Sequence, residues 1–268
     1  LENKVERRLH MIYAVPKQKR ASLAPLFQGM TDTCILSCLQ GHMGEAWVDH
    51  LDDPKVAQII VGDFAFFVGD ASIPEAKALL QHIPETIFAI VETEEWKQLI
   101  GAVYGRHAVK LERYAFRKSS ADLHIPHVRT FLQGLPEGYE VKKMDADLAA
   151  SPSLQAISPD FTGQFESISD FIARGIGYVV LFDKKVVCAA SSYSIYDEGI
   201  EIEIGTAPEH RRKGLAVAVA AALIIDCLER GLYPSWDAAN QQSARLATKL
   251  GYVMAEAYDA YELHRLKK

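Results

Sequence analysis

Polar and apolar positions alternate at residues 199–205, where Ile200, Ile202 and Ile204 are separated by Glu201 and Glu203. A period of two marks a strand with one apolar and one polar face. The pattern then breaks, and an almost uninterrupted apolar run from Leu215 to Leu228 predicts a buried helix that begins near Gly214 and ends by Arg230. Gly231 stops it. Upstream, the spacing predicts strands at 138–144, 176–182 and 186–195, with helical stretches between 145 and 173 broken at Pro152 and Pro159. Downstream it predicts a short strand at 232–239, a helix after Asn240, and two strands at 252–256 and 258–263. The order is β-α-α-β-β-β-α-β-α-β-β.

The first half reads less clearly. Strand-like pieces fall at 46–49, 56–61, 64–68, 87–91 and 107–116, and helices at 75–82 and 94–103. A linker with Ser119, Ser120, Pro126 and Pro136 follows, so we place a domain of 1–125 before one of 126–268. Residues 110–118 echo 258–267, which admits a degenerate copy of one fold; we read the echo as coincidence.

Between the Ile200 strand and the Leu215 helix lies Thr206-Ala-Pro-Glu-His-Arg-Arg-Lys-Gly-Leu-Ala216. A helix start carries free N–H groups and partial positive charge, and here two arginines, a lysine and a glycine precede it. That suits a phosphate. Neither the G-x-x-x-x-G-K-[ST] nor the G-x-G-x-x-G loop is present. Arg211-x-x-Gly214-x-Ala216, with Pro208 upstream, resembles the acyl-CoA signature of the GNAT superfamily of N-acyltransferases. Thr206 stands where that signature usually has an apolar residue. Asn240-x-x-Ser243-x-x-Leu246-x-x-Lys249-Leu-Gly-Tyr252 resembles the second CoA element of the same family. The resemblance covers about residues 135–268, and a bacterial branch with an extra N-terminal domain is the nearest in pattern. That branch includes proteins thought to acetylate amine-bearing antibiotics.

The resemblance implies an α/β (α+β) GNAT fold, a mixed, mostly antiparallel sheet flanked by helices, behind a smaller α+β domain of unassigned role. It implies acetyl-CoA as cosubstrate, with the pyrophosphate on Thr206, Ala207, Arg211, Arg212, Lys213, Gly214, Leu215 and Ala216. The pantetheine arm is expected on Asn240 and Ser243. Acyl transfer to an amine needs a base, and in the family a Glu on the strand before the CoA turn often serves. Glu201 and Glu203 are the candidates, with Glu201 preferred and Glu198 behind them. Such a carboxylate is a useful base only when the cleft desolvates it, and the alternative is that both face solvent. A general acid is not legible: the family often has Tyr after the Leu of the second motif, and here Ala247 follows Leu246. Tyr252, Tyr258, Tyr261 and Ser243 are available, each with a packing role as the alternative. Asp160, Glu166 and Asp170 fall where related folds cover the acceptor, a place to attract a cationic amine, but we prefer to read them as ordinary solvated helix residues.

Composition narrows the classes. A net charge of −6 argues against a nucleic-acid protein. No run has the length of a membrane span. Of Cys34, Cys38, Cys188 and Cys227, two lie within apolar runs, which fits buried thiols of a cytoplasmic protein, and Cys34, Cys38 and His42 lack the spacing of a zinc site. No metal is expected. With no cysteine beside the CoA turn in sequence, we expect direct attack within a ternary complex on a small-molecule primary amine. A non-catalytic CoA-binding sensor and a protein lysine or N-terminal acetyltransferase are the alternatives; the resemblance also admits a homodimer.

Overall fold

The computed structural model describes residues 11–266, and the chain divides into two compact units. One comprises the chain up to Glu112 and from Asp259 on; the other is Arg113–Tyr258. The expected boundary at 125/126 thus falls inside the second unit.

The first unit runs β1 (Tyr13–Ala14), a 3-10 turn (Lys17–Leu23), α1 (Thr33–Leu39), β2 (Glu45–Val48), β3 (Val56–Val61), β4 (Phe64–Gly69), α2 (Pro74–Gln81), β5 (Thr86–Ile90), α3 (Glu94–Tyr104) and the start of β6 (Ala108–Phe116). β1 to β4 pair antiparallel in order, and β4 pairs β5 in parallel across α2. Trp96, Ile100, Leu79, Leu80, Phe67 and Ile87 fill its core. The sequence pattern missed α1. Its four-residue apolar rhythm is too short to stand out, and the element is fixed by the Asp32 carboxylate, which accepts from the Cys34 N–H at 2.8 Å.

The second unit contains α4 (Ile125–Arg129), β7 (Tyr139–Lys143), α5 (Ala146–Ala149), α6 (Pro152–Gln155), α7 (Ile168–Arg174), β8 (Gly177–Phe182), β9 (Lys185–Tyr196), β10 (Gly199–Thr206), α8 (Leu215–Glu229), β11 (Tyr233–Ser235), β12 (Asp237–Ala238), α9 (Gln241–Leu250) and most of β13 (Met254–His264). Its sheet order is β11-β10-β9-β8-β7, antiparallel except for the parallel β10/β11 pair on either side of α8. This is the mixed, mostly antiparallel sheet expected. The expected strand at 232–239 is two strands, because β12 leaves β11's line and pairs with Tyr114 and Ala115 of β6. The two strands expected at 252–263 are one, since no residue between Ala257 and Asp259 forces a turn and the segment stays extended.

The element order of the first unit repeats that of the second: an edge strand, helical turns, three antiparallel strands, a helix, a parallel strand and a second helix. Residues 110–116 of one echoing segment lie on β6 and residues 258–264 of the other on β13; residue 267 lies outside the described residues. β13 ends beside β5, with Ala260 opposite Ile90 and Leu263 opposite Ile87.

Candidate active site

The β10 strand is built as its pattern predicts, and its faces can be assigned from neighbours. Gly205 lies so close to Ile157 and Phe161 that a Cβ there would sit 3.0 and 3.2 Å from them. Ser191, opposite Glu203, donates through Oγ to the Phe161 carbonyl at 2.7 Å. Residues 201, 203 and 205 alternate onto one face, so both glutamates look toward the segment after α6, not toward open solvent. Glu201 is only 6% exposed and Glu203 half-buried. A bulge on β9 shifts the register between Glu201 and Ile202, which places Ser194 opposite Glu201 and Ser192 opposite Ile202.

Beyond Glu201 the sheet opens. The parallel ladder joins Gly199, Ile200 and Glu201 to Tyr233, Pro234 and Ser235, and then β12 turns to β6 while β10 runs on to Thr206. At the far end of this ladder the strands are tight, since a Cβ on Gly199 would overlap the Tyr233 carbonyl oxygen. The result is a wedge between β10 and β12, with Glu201 at its closed end.

The phosphate turn stands at its other end. Pro208–His210 form a 3-10 turn, Arg212 has φ +62° and Gly214 has φ +78°, ψ 3°. Gly214 caps α8, and no side chain caps that helix or brings acid to its first turn among the described residues. The first N–H groups of a helix have no partner within it, so this end keeps its donors and its positive pole. A Cβ on Gly214 would meet nothing within 4 Å, so the space before the helix is open. These features fit a pyrophosphate.

The side chains of the turn brace it. Arg211 Nε donates to the Thr206 carbonyl at 3.1 Å, His210 Nδ1 lies 2.8 Å from the Tyr139 hydroxyl, and Lys213 Nζ donates to that same hydroxyl at 2.8 Å. The His210 ring also packs on Tyr139 and Phe182. Arg212, Arg211, Lys213 and Gly214 are exposed, Leu215 is buried and Ala216 half-buried. Asn240 caps α9 by accepting from the Ser243 N–H at 3.0 Å, and Ser243 Oγ accepts from Trp236 Nε1 at 3.1 Å.

One expectation needs correcting. Cys188, distant in sequence, sits opposite Thr206, its Sγ 3.1 Å from the Thr206 hydroxyl. Only the strand register could have revealed it. It is fully buried, and burial pushes its thiol up to about 12, with Cys227 likewise at about 12, so neither is a ready nucleophile. Two of the acids in the segment that covers the acceptor in related folds have local partners: Asp170 pairs with Arg174 at 2.6 Å, and Asp160 accepts from Gln164 at 3.2 Å. The Arg174 guanidinium holds the Asp170 carboxyl below its ordinary value.

Sequence reasoning missed a polar group beside the wedge, because its members come from distant strands. Asp237 pairs with Arg113 (2.7 Å) and accepts from the Tyr258 hydroxyl (2.9 Å), both side chains of the ion pair being 11% exposed. Burial alone would lower the Arg113 pKa, but the adjoining Asp237 carboxylate holds it above the ordinary arginine value. Lys118 donates to Ser235 Oγ at 2.7 Å. The Glu201 and Lys118 charges both act on Asp237.

A strand-turn-helix anion site at the mouth of a parted parallel strand pair, with a buried carboxylate at the apex, is the architecture of an acyl-CoA-dependent transferase. The GNAT acetyltransferase family model matches residues 24–261. A GCN5-related N-acetyltransferase-like protein from Streptococcus suis 89/1591 superposes with a TM-score of 0.84 at 36% identity, over 91% of this chain and 98% of its own. An uncharacterized N-acetyltransferase of Bacillus subtilis strain 168, YdfB, is 36% identical over 129 residues, 47% of this chain; the match spans about half that relative's length (49%). A tandem GNAT protein of the clavulanic acid biosynthesis pathway shares the fold over 96% of this chain and 100% of its own (TM-score 0.54, 11% identity). The chain belongs to the GNAT acetyltransferase family. No helix among the described residues is long and apolar enough to cross a membrane.

Proposed function

We propose that this protein is an N-acetyltransferase that moves an acetyl group from acetyl-CoA to a primary amine of a small molecule, by direct attack with both substrates bound. The observation that carries the reading is the wedge between β10 and β12, with an uncapped helix start at one end and the buried Glu201 at the other. Backbone N–H groups at the start of α8, with Gly214 giving close approach, would hold the pyrophosphate. Thr206, Ala207, Arg211, Arg212, Lys213, Leu215 and Ala216 would form that cradle, and Asn240 and Ser243 would face the pantetheine arm. When bound, acetyl-CoA supplies an activated acyl thioester.

Glu201 takes a proton from the acceptor ammonium, directly or through one water, leaving the nitrogen lone pair free to attack. Glu203, one step toward the mouth on the same face, adds negative charge that favours a cationic acceptor. The high thiol pKa values of Cys188 and Cys227 support attack without a cysteinyl intermediate.

The test is release of free CoA thiol from acetyl-CoA across a panel of small amines and a lysine peptide. Release with small amines supports the reading. Release with the peptide alone turns it to protein acetylation, and binding without any release turns it to a CoA sensor, which the Ala247 position favours.

A further inference from the structure

The cradle at the start of α8 is made of backbone, so its affinity depends on how firmly the turn holds its shape. The turn's own backbone hydrogen bonds end early: the His210 N–H donates to the Ala207 carbonyl at 2.9 Å and the Arg211 N–H to the Pro208 carbonyl at 3.3 Å. From Arg212 to Gly214 no N–H donates to a backbone carbonyl among the described residues. That leaves donors for an anion, but it also leaves the stretch without a ladder to fix it. Arg212 adds to the difficulty, since its φ of +62° is one that a residue with a Cβ resists. Such a conformation lasts only where its surroundings impose it.

The side chains that flank this stretch meet at one hydroxyl on another element. Tyr139 opens β7, where it is the register partner of Phe182 on β8. Its Oη accepts from Lys213 Nζ at 2.8 Å and lies 2.8 Å from His210 Nδ1, so residues before and after Arg212 are tied to a single atom. Ring packing supports the tie. Tyr139 stands 4.6 Å from Phe182 and 5.7 Å from His210, and Phe182 stands 5.4 Å from His210. Lys213 Nζ lies 5.4 Å from the centre of the Tyr139 ring. A carboxylate in place of the phenol would hold Lys213 too, but it would cancel the positive charge that the turn presents to a phosphate. The phenol anchors the ammonium and leaves its charge uncancelled.

We propose that Tyr139 is the positioning residue of the acyl-CoA turn: its hydroxyl holds Arg212 in the left-handed conformation before the ligand arrives, without touching the ligand itself. The inference rests on the acyl-transfer reading above. Because an ammonium only donates, the phenol oxygen accepts from Lys213 and turns its own hydrogen to His210 Nδ1. His210 is then a neutral ring with its proton on Nε2. Removing the hydroxyl frees the turn, and the apparent affinity falls in proportion to the time the turn still spends in its binding shape. The loss falls on association, since the bound turn is held by the ligand.

Two measurements test this. The first is nitrogen NMR of the wild-type protein carrying isotope-labelled histidine, in mildly alkaline buffer, with the His210 signals assigned by their loss in His210→Gln. Nδ1 of His210 should show the shift of an unprotonated nitrogen that accepts a hydrogen bond, and in Tyr139→Phe the hydrogen-bond contribution should disappear. The second is stopped-flow binding of acetyl-CoA to wild type and Tyr139→Phe. Phenylalanine keeps the ring packing on Phe182 and His210, and an unchanged binding stoichiometry checks that the variant is folded. Its association rate should fall by about tenfold with the dissociation rate unchanged. Equal association rates overturn the inference. So does a loss carried by dissociation, which would mean that the hydroxyl holds the ligand and not the turn, and so does a wild-type His210 with its proton on Nδ1. Absence of acetyl-CoA binding by the wild-type protein overturns the reading beneath, and the inference with it.

Discussion

Glu201 is a buried carboxylate and Asp226 a half-buried one, and their surroundings differ. Glu201 sits at the closed end of the wedge, where the proposed function has it take the acceptor's proton. Glu201→Gln keeps shape and volume, so it should lower kcat by roughly 10²-fold with acetyl-CoA affinity unchanged. An unchanged rate across pH would dismiss it as the base. Asp226, on α8, serves the fold: Lys143 (2.8 Å), Tyr178 (2.9 Å) and Arg230 (2.5 Å) all donate to it, and its side chain is 13% exposed. Burial alone would raise its pKa, but these three donors outweigh burial and hold it below the ordinary value. A folded-state pKa below the unfolded one gives stability above about pH 4 that disappears as pH falls through the folded value. Asp226→Asn should therefore destabilise at neutral pH by about 1–3 kcal/mol, and the melting temperatures of the two proteins should converge as pH falls below about 4. A gap that stays constant with pH would show that the loss is steric.

At the scale of elements, the helix starts decide what is bound. α8 begins on Gly214 with no side-chain cap, whereas α9 begins on Asn240, whose oxygen is spent on the Ser243 N–H. That leaves the Asn240 amide N–H groups for a pantetheine carbonyl. Asn240→Asp keeps the cap and removes the donor, so acetyl-CoA should bind more weakly while the melting temperature holds; Asn240→Ala should lose both, the cap being worth about 1 kcal/mol. Equal binding by wild type and the Asp variant would remove Asn240 from the site. These elements were legible because each rests on local signals: the alternation of Ile200 and Glu201, the apolar run of α8, the Asn240 cap, the Gly214 turn. What was not legible is set by register. No local pattern announces that Cys188 faces Thr206, that Lys118 reaches Ser235, or that Arg113 pairs with Asp237 across 124 positions. The helices between 145 and 173 came out shorter than expected because Pro152 and Pro159 each start a new element.

At the scale of the whole molecule, the two units share an order of elements but not a site. In the second unit a long turn from Ala207 to Gly214 leads into α8. In the first, β4 passes to α2 through Asp70–Ile73 alone. There Asp70 accepts from Ser72, Pro74 opens α2 and Glu75 adds acid to its first turn. Trp96 packs beside the end of β4 in the first unit, fully buried, with its indole N–H on the Gly69 carbonyl at 3.0 Å and its ring 5.5 Å from Phe67. Acid at a helix start repels phosphate, and a packed indole leaves no room for an arm. We therefore expect one acyl-CoA site per chain. The most direct measurement is calorimetric titration of the protein with acetyl-CoA, beside the Gly214→Val variant, whose β-branched side chain resists the positive φ and crowds the phosphate approach. The prediction is one site per chain in the wild type and no measurable binding in the variant. Two sites, no binding by the wild type, or equal binding by the variant would contradict the account.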